Sequence, residues 1–421
     1  MVFPNDDPVI IRPPENSGEP TVITISCPDK TGLGCDLCRV ILLFGLNIVR
    51  GDMSTDGKWC FVLFWVVEGK GGDLGTRWGL LKWRLLETCP SVSSDSGIYN
   101  SCYRQQEIIA MEKQAQVFLL KFSCYDRMGL LHDVTRVLCE LELTIRRVKV
   151  STTPDGKVMD LFFITDTREL LHTKKRKDET CDQLKAVLGE SMISCDIEPA
   201  LDDTSACLRA SSSLPPCVTE EMFTLELPEE LSKESLPASN SFSVMMDNSL
   251  SPAHTLIQIH CPDHKGLLFD VMRTLKDYNI QISYGRFYSS KGGECEIDLF
   301  VMQMDGKKII DPIKQKALRS RLRMDLLSPL RVTLVNRGPD LELLVANPVE
   351  LCGKGRPLVL YDITLALKML QIRIFSAEIA RHSIGDREWE VYRILLNDDY
   401  ALLSSKNKIV ERVTKELMGW N

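Results

Sequence analysis

Long apolar runs are missing from this 421-residue chain. The longest unbroken one lies around Cys60–Val67, far short of the roughly 18 residues a membrane-spanning helix needs, so a soluble protein with no membrane partner is expected. An excess of positive charge is missing too: 51 Lys+Arg against 58 Asp+Glu give a formal net charge of −7, which argues against broad attraction to nucleic acid. Met1–Asp7 carries early acids and no basic segment leading into an apolar stretch, so cytosolic residence is expected, with the nucleus second. Lys174–Lys177 would suit a nuclear address, but a solvated lead-in to a helix is the plainer reading. Fifteen cysteines is an odd number, scattered through apolar segments of a chain long enough to bury a core, which favours reduced thiols over disulfides.

Catalytic signatures are lacking as well. No Gly-x-x-x-x-Gly-Lys-Ser/Thr, His-Glu-x-x-His or Gly-x-Ser-x-Gly occurs, and none of the six histidines pairs with a nucleophile. No catalytic residue, cofactor or metal ligand is therefore assigned. With 44% hydrophobic and 26% charged residues the composition is that of an ordinary globular protein of two to four domains.

What the chain does contain is repetition. Cys27-Pro28-Asp29-Lys30-Thr31-Gly32-Leu33-Gly34-Cys35-Asp36 returns as Cys124–Asp133 and Cys261–Asp270, each with the spacing Cys-x-Asp-x-x-Gly-Leu-x-x-Asp. A fourth copy is anchored by Val359-Leu360-Tyr361-Asp362, but the stretch before it is longer: Pro348 to Asp362 spans 14 positions where Pro262 to Asp270 spans 8. Twelve residues beyond each anchoring Asp lies an isoleucine, Ile48, Ile145, Ile282 and Ile374. Register thus persists where the loop does not.

Periodicity says what each copy folds into. Thr21–Ser26 and Val117–Ser123 are β-branched and aromatic and end in a Pro/Asp/Gly cluster, a strand entering a loop. Leu130, Leu131, Val134, Val137, Leu138 and Leu141 then recur at helical spacing, as do Leu267, Leu268, Val271, Met272, Leu275 and Tyr278. Two strands follow, joined at Asp56-Gly57, Asp155-Gly156, Gly292-Gly293 or Gly385-Asp386, dipeptides that supply the positive φ of tight hairpins. Second helices are expected near Arg77–Glu87, Asp178–Gly189, Asp311–Leu326 and Ser404–Met418, and closing strands at Ser194–Glu198 and Arg331–Asn336. Each copy reads as βαββαβ, a split βαβ with two helices on one face of an antiparallel sheet. Pro199–Pro252 reads as a linker, with Thr219–Leu227 a candidate extra edge strand. Ser91–Ser101 is a loop before a helix-like segment at Gln105–Gln114.

These loops resemble those of the ACT-domain family, particularly plant proteins of four tandem ACT repeats, and the ACT pair of bacterial uridylyltransferase/uridylyl-removing enzymes. The resemblance rests on Asp29–Asp36, Asp126–Asp133 and Asp263–Asp270. It implies an α+β chain of four ferredoxin-like units over residues 20–90, 115–200, 253–338 and 339–421, with 201–252 as linker. Copy four departs from the pattern, with Leu358 in the glycine slot and Gly355 in the first-Asp slot. The resemblance further implies a non-enzymatic sensor that binds a free amino acid between paired units and alters a partner enzyme, one of amino-acid or nitrogen metabolism; self-association is compatible with it.

The residues suit that chemistry. A helix N-terminus offers free N–H groups and partial positive charge to an α-carboxylate, and the absence of a Cβ at Gly32, Gly129 and Gly266 allows close approach. Asp29, Asp126 and Asp263 either cap the helix or receive an ammonium group. The ligand-contacting set is therefore Asp29, Gly32, Leu33, Asp126, Gly129, Leu130, Asp263, Gly266 and Leu267. Asp36, Asp133, Asp270 and Asp362 sit in a first helical turn and complement its dipole. Cys35-x-x-Cys38 has no counterpart in the other copies, and His260, Cys261 and His264 are split across strand and loop, so metal or redox duty is set aside. RNA recognition, which shares the element order, is disfavoured because the aromatics of Lys58–Phe64 do not recur and the charge is negative. The competing functional reading is a ligand-independent scaffold docking on such an enzyme.

Overall fold

The computed structural model describes residues 7–69, 77–90, 116–200, 214–223, 242–396 and 406–419, apart from positions 17, 154, 167, 291, 339, 352, 385 and 386. The segments Ser91–Ser101 and Gln105–Gln114 and the Gly385-Asp386 turn lie outside them. Copy one comprises β1 (Val9–Arg12), β2 (Thr21–Pro28), α1 (Leu33–Leu43), β3 (Leu46–Thr55), β4 (Trp59–Glu68) and α2 (Trp78–Thr88). Copy two comprises β5 (Phe118–Tyr125), α3 (Leu130–Glu140), β6 (Leu143–Thr152), β7 (Lys157–Asp166), α4 (Lys174–Leu188) and β8 (Met192–Pro199); α5 (Pro216–Phe223) follows. Copy three holds β9 (Ser243–Asp247), β10 (Thr255–Pro262), α6 (Leu267–Asp277), β11 (Ile280–Ser289), β12 (Glu294–Gln303) and α7 (Pro312–Leu327). Copy four holds β13 (Arg331–Arg337), β14 (Asp340–Pro348), α8 (Val359–Met369), β15 (Ile374–Ile384), β16 (Arg387–Leu396) and α9 (Lys406–Met418).

The copies pair in an interleaved way, one with three and two with four, giving two compact units. In the first unit an eight-stranded antiparallel sheet runs β1-β2-β4-β3-β11-β12-β10-β9; in the second it runs β13-β14-β16-β15-β6-β7-β5-β8. The joins are edge to edge, β3 on β11 from Tyr284↔Ser54 to Tyr288↔Arg50, and β6 on β15 from Ser376↔Ser151 to Glu378↔Lys149. Each join removes two open sheet edges, which is the physical reason for a copy to find a partner. The first helices of the partners also pack together, α1 on α6 and α3 on α8.

The expected strand order along the chain holds only for copy two, whose β8 closes onto β5. In the other three copies the edge strand comes from the N-terminal side: β1, β9 and β13 form hairpins with β2, β10 and β14. The strand expected to close copy three at Arg331–Asn336 thus exists, but its partner is copy four. Gly338, at φ 70°, permits the tight turn that brings Arg337 against Asp340, and local pairing wins. Likewise Ser243–Asp247, read as linker, is a paired strand. The strand expected at Thr219–Leu227 is instead, as far as Phe223, the end of a helix. Leu214, Val218 and Met222, four apart, make one apolar face that packs on Leu344, Ala346, Trp389 and Val391.

Register repeats at the level of backbone defects. Each of Ile48, Ile145, Ile282 and Ile374 sits at a β-bulge. Nine residues after each anchoring Asp the chain turns left-handed, at Gly45, Glu142, Asn279 and Gln371. There the N–H reaches back to the carbonyl three residues earlier at 3.0 Å, ending the first helix in every copy.

Candidate functional site

Each strand-to-helix bend is built from the same parts. Gly32, Gly129 and Gly266 take φ of 78, 73 and 83°, and Leu358 adopts the same left-handed conformation at 64°. Among the described residues no side chain makes a cap hydrogen bond to any of these four helices, so the first Asp of the motif is not acting as a helix cap. Its N–H is fixed to the hairpin opposite, Asp29 to Lys58 O, Asp126 to Gly156 O and Asp263 to Gly293 O, at 2.7–2.8 Å. Two of the carboxylates also accept a hydroxyl, from Thr55 to Asp29 and from Ser289 to Asp263, both at 2.6 Å. Leu33, Leu130 and Leu267 point into the core.

Because partner copies pack antiparallel, the bends of copies one, two and three face the end of the partner's first helix and the start of the strand after it. Asp29, Gly32 and Leu33 share a cleft with Lys276 and Gln281 of copy three. Asp126, Gly129 and Leu130 face Lys368 and Arg373 of copy four, and Asp263, Gly266 and Leu267 face Leu42 and Asn47 of copy one. The clefts hold about 590, 410 and 300 Å³ of empty space, solvent mouths included. These partner residues escape motif reasoning, yet the register finds them. They lie six and eleven positions after the anchoring Asp of their own copies.

The lysines bind the first-turn carboxylates. Asp36 lies 3.0 Å from both Lys276 Nζ and Lys30 Nζ. Asp133 lies 2.8 Å from Lys368 Nζ and 2.6 Å from Arg127. Burial opposes the charge on each carboxylate, but the two cations outweigh it and hold both below the usual range. The lysine stems also occupy the room beside the glycines: a Cβ on Gly32 would sit 2.7 Å from Lys276, and one on Gly129 2.8 Å from Lys368. In copy three the counterpart Asp270 is fully buried and turns to Arg273 at 3.0 Å.

Copy four fills its bend with its own side chains. Asn347 clamps the backbone of Arg356 in both directions at 3.2 Å and Glu390 at 3.1 Å. The buried Arg356 guanidinium donates to Leu417 O at 2.7 Å, and Arg381 bridges Gly353 O and Glu390. His260, Cys261 and His264 do not converge with a further ligand; among the described residues no three His, Cys, Asp or Glu side chains gather as a metal set. Cys35 and Cys38 are buried in the core, and burial pushes the Cys38 thiol up.

Fold and bends together define a protein built of ACT repeats. The chain belongs to the ACT domain-containing ACR family. Family descriptions match in four pieces: the N-terminal region of ACT domain-containing protein ACR10 at residues 11–90, an ACT domain at 118–181, an ACR9-like, ACT-like domain at 243–340, and the C-terminal region of ACT domain-containing protein ACR9 at 341–419. Over 416 residues, 99% of each chain, it is 58% identical to ACT domain-containing protein ACR10 of Arabidopsis thaliana. To ACR9 of the same plant it is 53% identical over 425 residues, again 99% of each. A bifunctional uridylyltransferase/uridylyl-removing enzyme of Gluconobacter oxydans shares 26% identity over 210 residues, 49% of this chain and 19% of that one. Among the described residues no helix is long and apolar enough to cross a membrane.

Proposed function

We propose that this chain is a non-enzymatic regulator that binds a free amino acid in the clefts between paired copies and, by favouring one arrangement of the pair, alters a partner enzyme of amino-acid or nitrogen metabolism. The observation that carries the reading is the bend itself: a helix N-terminus with no side-chain cap, opened by a left-handed glycine, which in copies one and two faces polar side chains of the partner copy. Uncapped N–H groups and the helix dipole favour a carboxylate, while Asp29, Asp126 and Asp263 stand beside them for an ammonium group. A ligand touching both copies acts on their equilibrium only through its differential affinity for the two arrangements. We place the protein in the cytosol, in keeping with fifteen cysteines scattered along the chain rather than spaced as a disulfide framework.

A second reading, a ligand-independent scaffold, is favoured by one specific observation. The stems of Lys276 and Lys368 already cover Gly32 and Gly129. A thermal screen of the full chain against the twenty amino acids separates the two. A bound ligand at about 100 times its Kd adds roughly 2.7 kcal/mol, a Tm rise of about 5–11 °C for a unit of roughly 200 residues. No rise with any amino acid leaves the scaffold.

A further inference from the structure

The inward face of the strand after the hairpin turn is apolar in copies one and three, where Val62 and Ile297 stand opposite Ile25 and Ile259. In copy two the same register places Asp160 opposite Phe122, between Val158 and Phe162. Asp160 is 1% exposed, and neither of its carboxylate oxygens has a hydrogen-bond partner among the described residues. An unpaired carboxyl in a core position costs stability and needs an explanation. It lines the copy-two cleft together with Asp126, Arg127, Lys368 and Arg373.

The surroundings differ from the other copies in a second respect. In copies one and three a hydroxyl satisfies the first Asp; in copy two the corresponding Thr152 Oγ1 is buried without a partner among the described residues, and Asp126 faces Arg373 at 3.9 Å, beyond direct hydrogen-bond length. The cleft thus sets two carboxyls on the copy-two side against a guanidinium on the copy-four side. Burial, and after it the neighbouring Asp126, raise the Asp160 carboxyl well above its ordinary range. The two acids are no cage for a divalent ion, since no third acidic, His or Cys side chain joins them among the described residues.

We propose that copy two carries the ammonium-selective site of this chain, with Asp160 as the buried acceptor for the ammonium group of a small zwitterion whose carboxylate meets Arg373. This rests on the amino-acid-binding reading and assigns it to one cleft. An ammonium group seated there draws the Asp160 proton off to solvent and leaves a carboxylate against it; copies one and three carry valine and isoleucine at that register and offer no counterpart of Asp160.

The test uses the full-length chain, wild type, Asp160→Val and Asp160→Asn, titrated with each L-amino acid, with methylammonium and with acetate. Thermal shift and calorimetry are run in two buffers of different ionisation enthalpy. We expect at least one amino acid to bind wild type with proton release, and both variants to bind it at least about tenfold more weakly, the loss of a hydrogen bond to a charged group, with no proton released. Unliganded Asp160→Val should melt higher than wild type. Equal affinity in wild type and both variants would overturn the assignment to Asp160 and leave amino-acid binding standing. No response of wild type to any amino acid would overturn both. A lower melting point for unliganded Asp160→Val, with Asp160→Asn unchanged in binding, would make Asp160 a structural anchor and overturn the proposal.

Discussion

Copies one and three meet across their first helices through Cys35, Cys38, Phe269 and Met272, all part of one apolar core. Copies two and four place His132, Thr135, Tyr361 and Thr364 at the same register. The His132 ring lies 4.8 Å from that of Tyr361, its Nδ1 is 3.3 Å from Thr364 Oγ1, and the two threonine hydroxyls are 3.1 Å apart. The backbone scheme is shared and the filling is not. A seam of this shape accepts either apolar packing or a small satisfied polar network, and only the second is sensitive to pH. The first unit keeps its buried charge elsewhere, in Asp270, Arg273 and Asp325 beneath copy three.

The largest break in this comparison is expected at that charge cluster. Arg273→Leu leaves two carboxyls in the core, both at most 2% exposed, and should cost about 3–5 kcal/mol. Urea unfolding gives the magnitude, and hydrogen exchange should show lost protection in copies one and three. Next comes acid. Burial and nearby Lys368 push His132 down to about 4, so it is neutral in the folded seam. The unfolded chain takes up that proton near pH 6.5, so stability is full above 6.5 and falls as pH drops toward 4, by up to about 3 kcal/mol. His132→Cys, the residue of copy one, should flatten that part of the pH profile. An unchanged slope would show that the polar seam is not the sensor of acid.

The bends offer a finer contrast. Gly129→Ala forces a side chain into left-handed backbone, at about 1–2 kcal/mol, and drives its Cβ into the Lys368 stem. Gly32→Ala should cost about the same through Lys276. Unequal costs, read from urea midpoints, would mean that one lysine yields more readily and would point to the cleft that opens first.

How much of this the sequence discloses varies with the range of the interaction. Repeat register, the left-handed bends and the two helices of each copy are local, and Cys-x-Asp-x-x-Gly-Leu-x-x-Asp with apolar spacing carries them. Pairing is not local: β3 and β11 are joined by backbone hydrogen bonds that any strand edge can make, so nothing in Gly51–Ser54 names Tyr284–Phe287 as partner. The origin of the edge strands fails for a similar reason, since Arg331–Asn336 is an equally good strand for copy three or four, and the turn at Gly338 decides. The Asp motif is visible as a site but not its wall. Lys276 and Lys368 look like ordinary helix-terminal lysines until two copies are superposed in register, and Asp160 stands out only as a carboxyl in an apolar alternation.

The two smallest effects are expected at the cleft lysines, first at Lys276→Met, which keeps an aliphatic stem over Gly32 and removes the ammonium from Asp36. The pair is partly exposed, the carboxylate side chain by 24%, so water and salt screen it and the cost should be about 0.2–1 kcal/mol. The pH dependence makes so small a term legible. Asp36 titrates below its ordinary value in the fold because Lys276 and Lys30 outweigh burial, so the stabilisation is present above about pH 4 and disappears as pH falls through the folded value. Lys276→Met should therefore differ from wild type at neutral pH and converge on it in acid, with Lys30 left as the remaining cation. The equivalent change Lys368→Met leaves Asp133 with Arg127 at 2.6 Å. Asp133 then keeps a stronger, planar donor, and the loss there should be the smaller of the two.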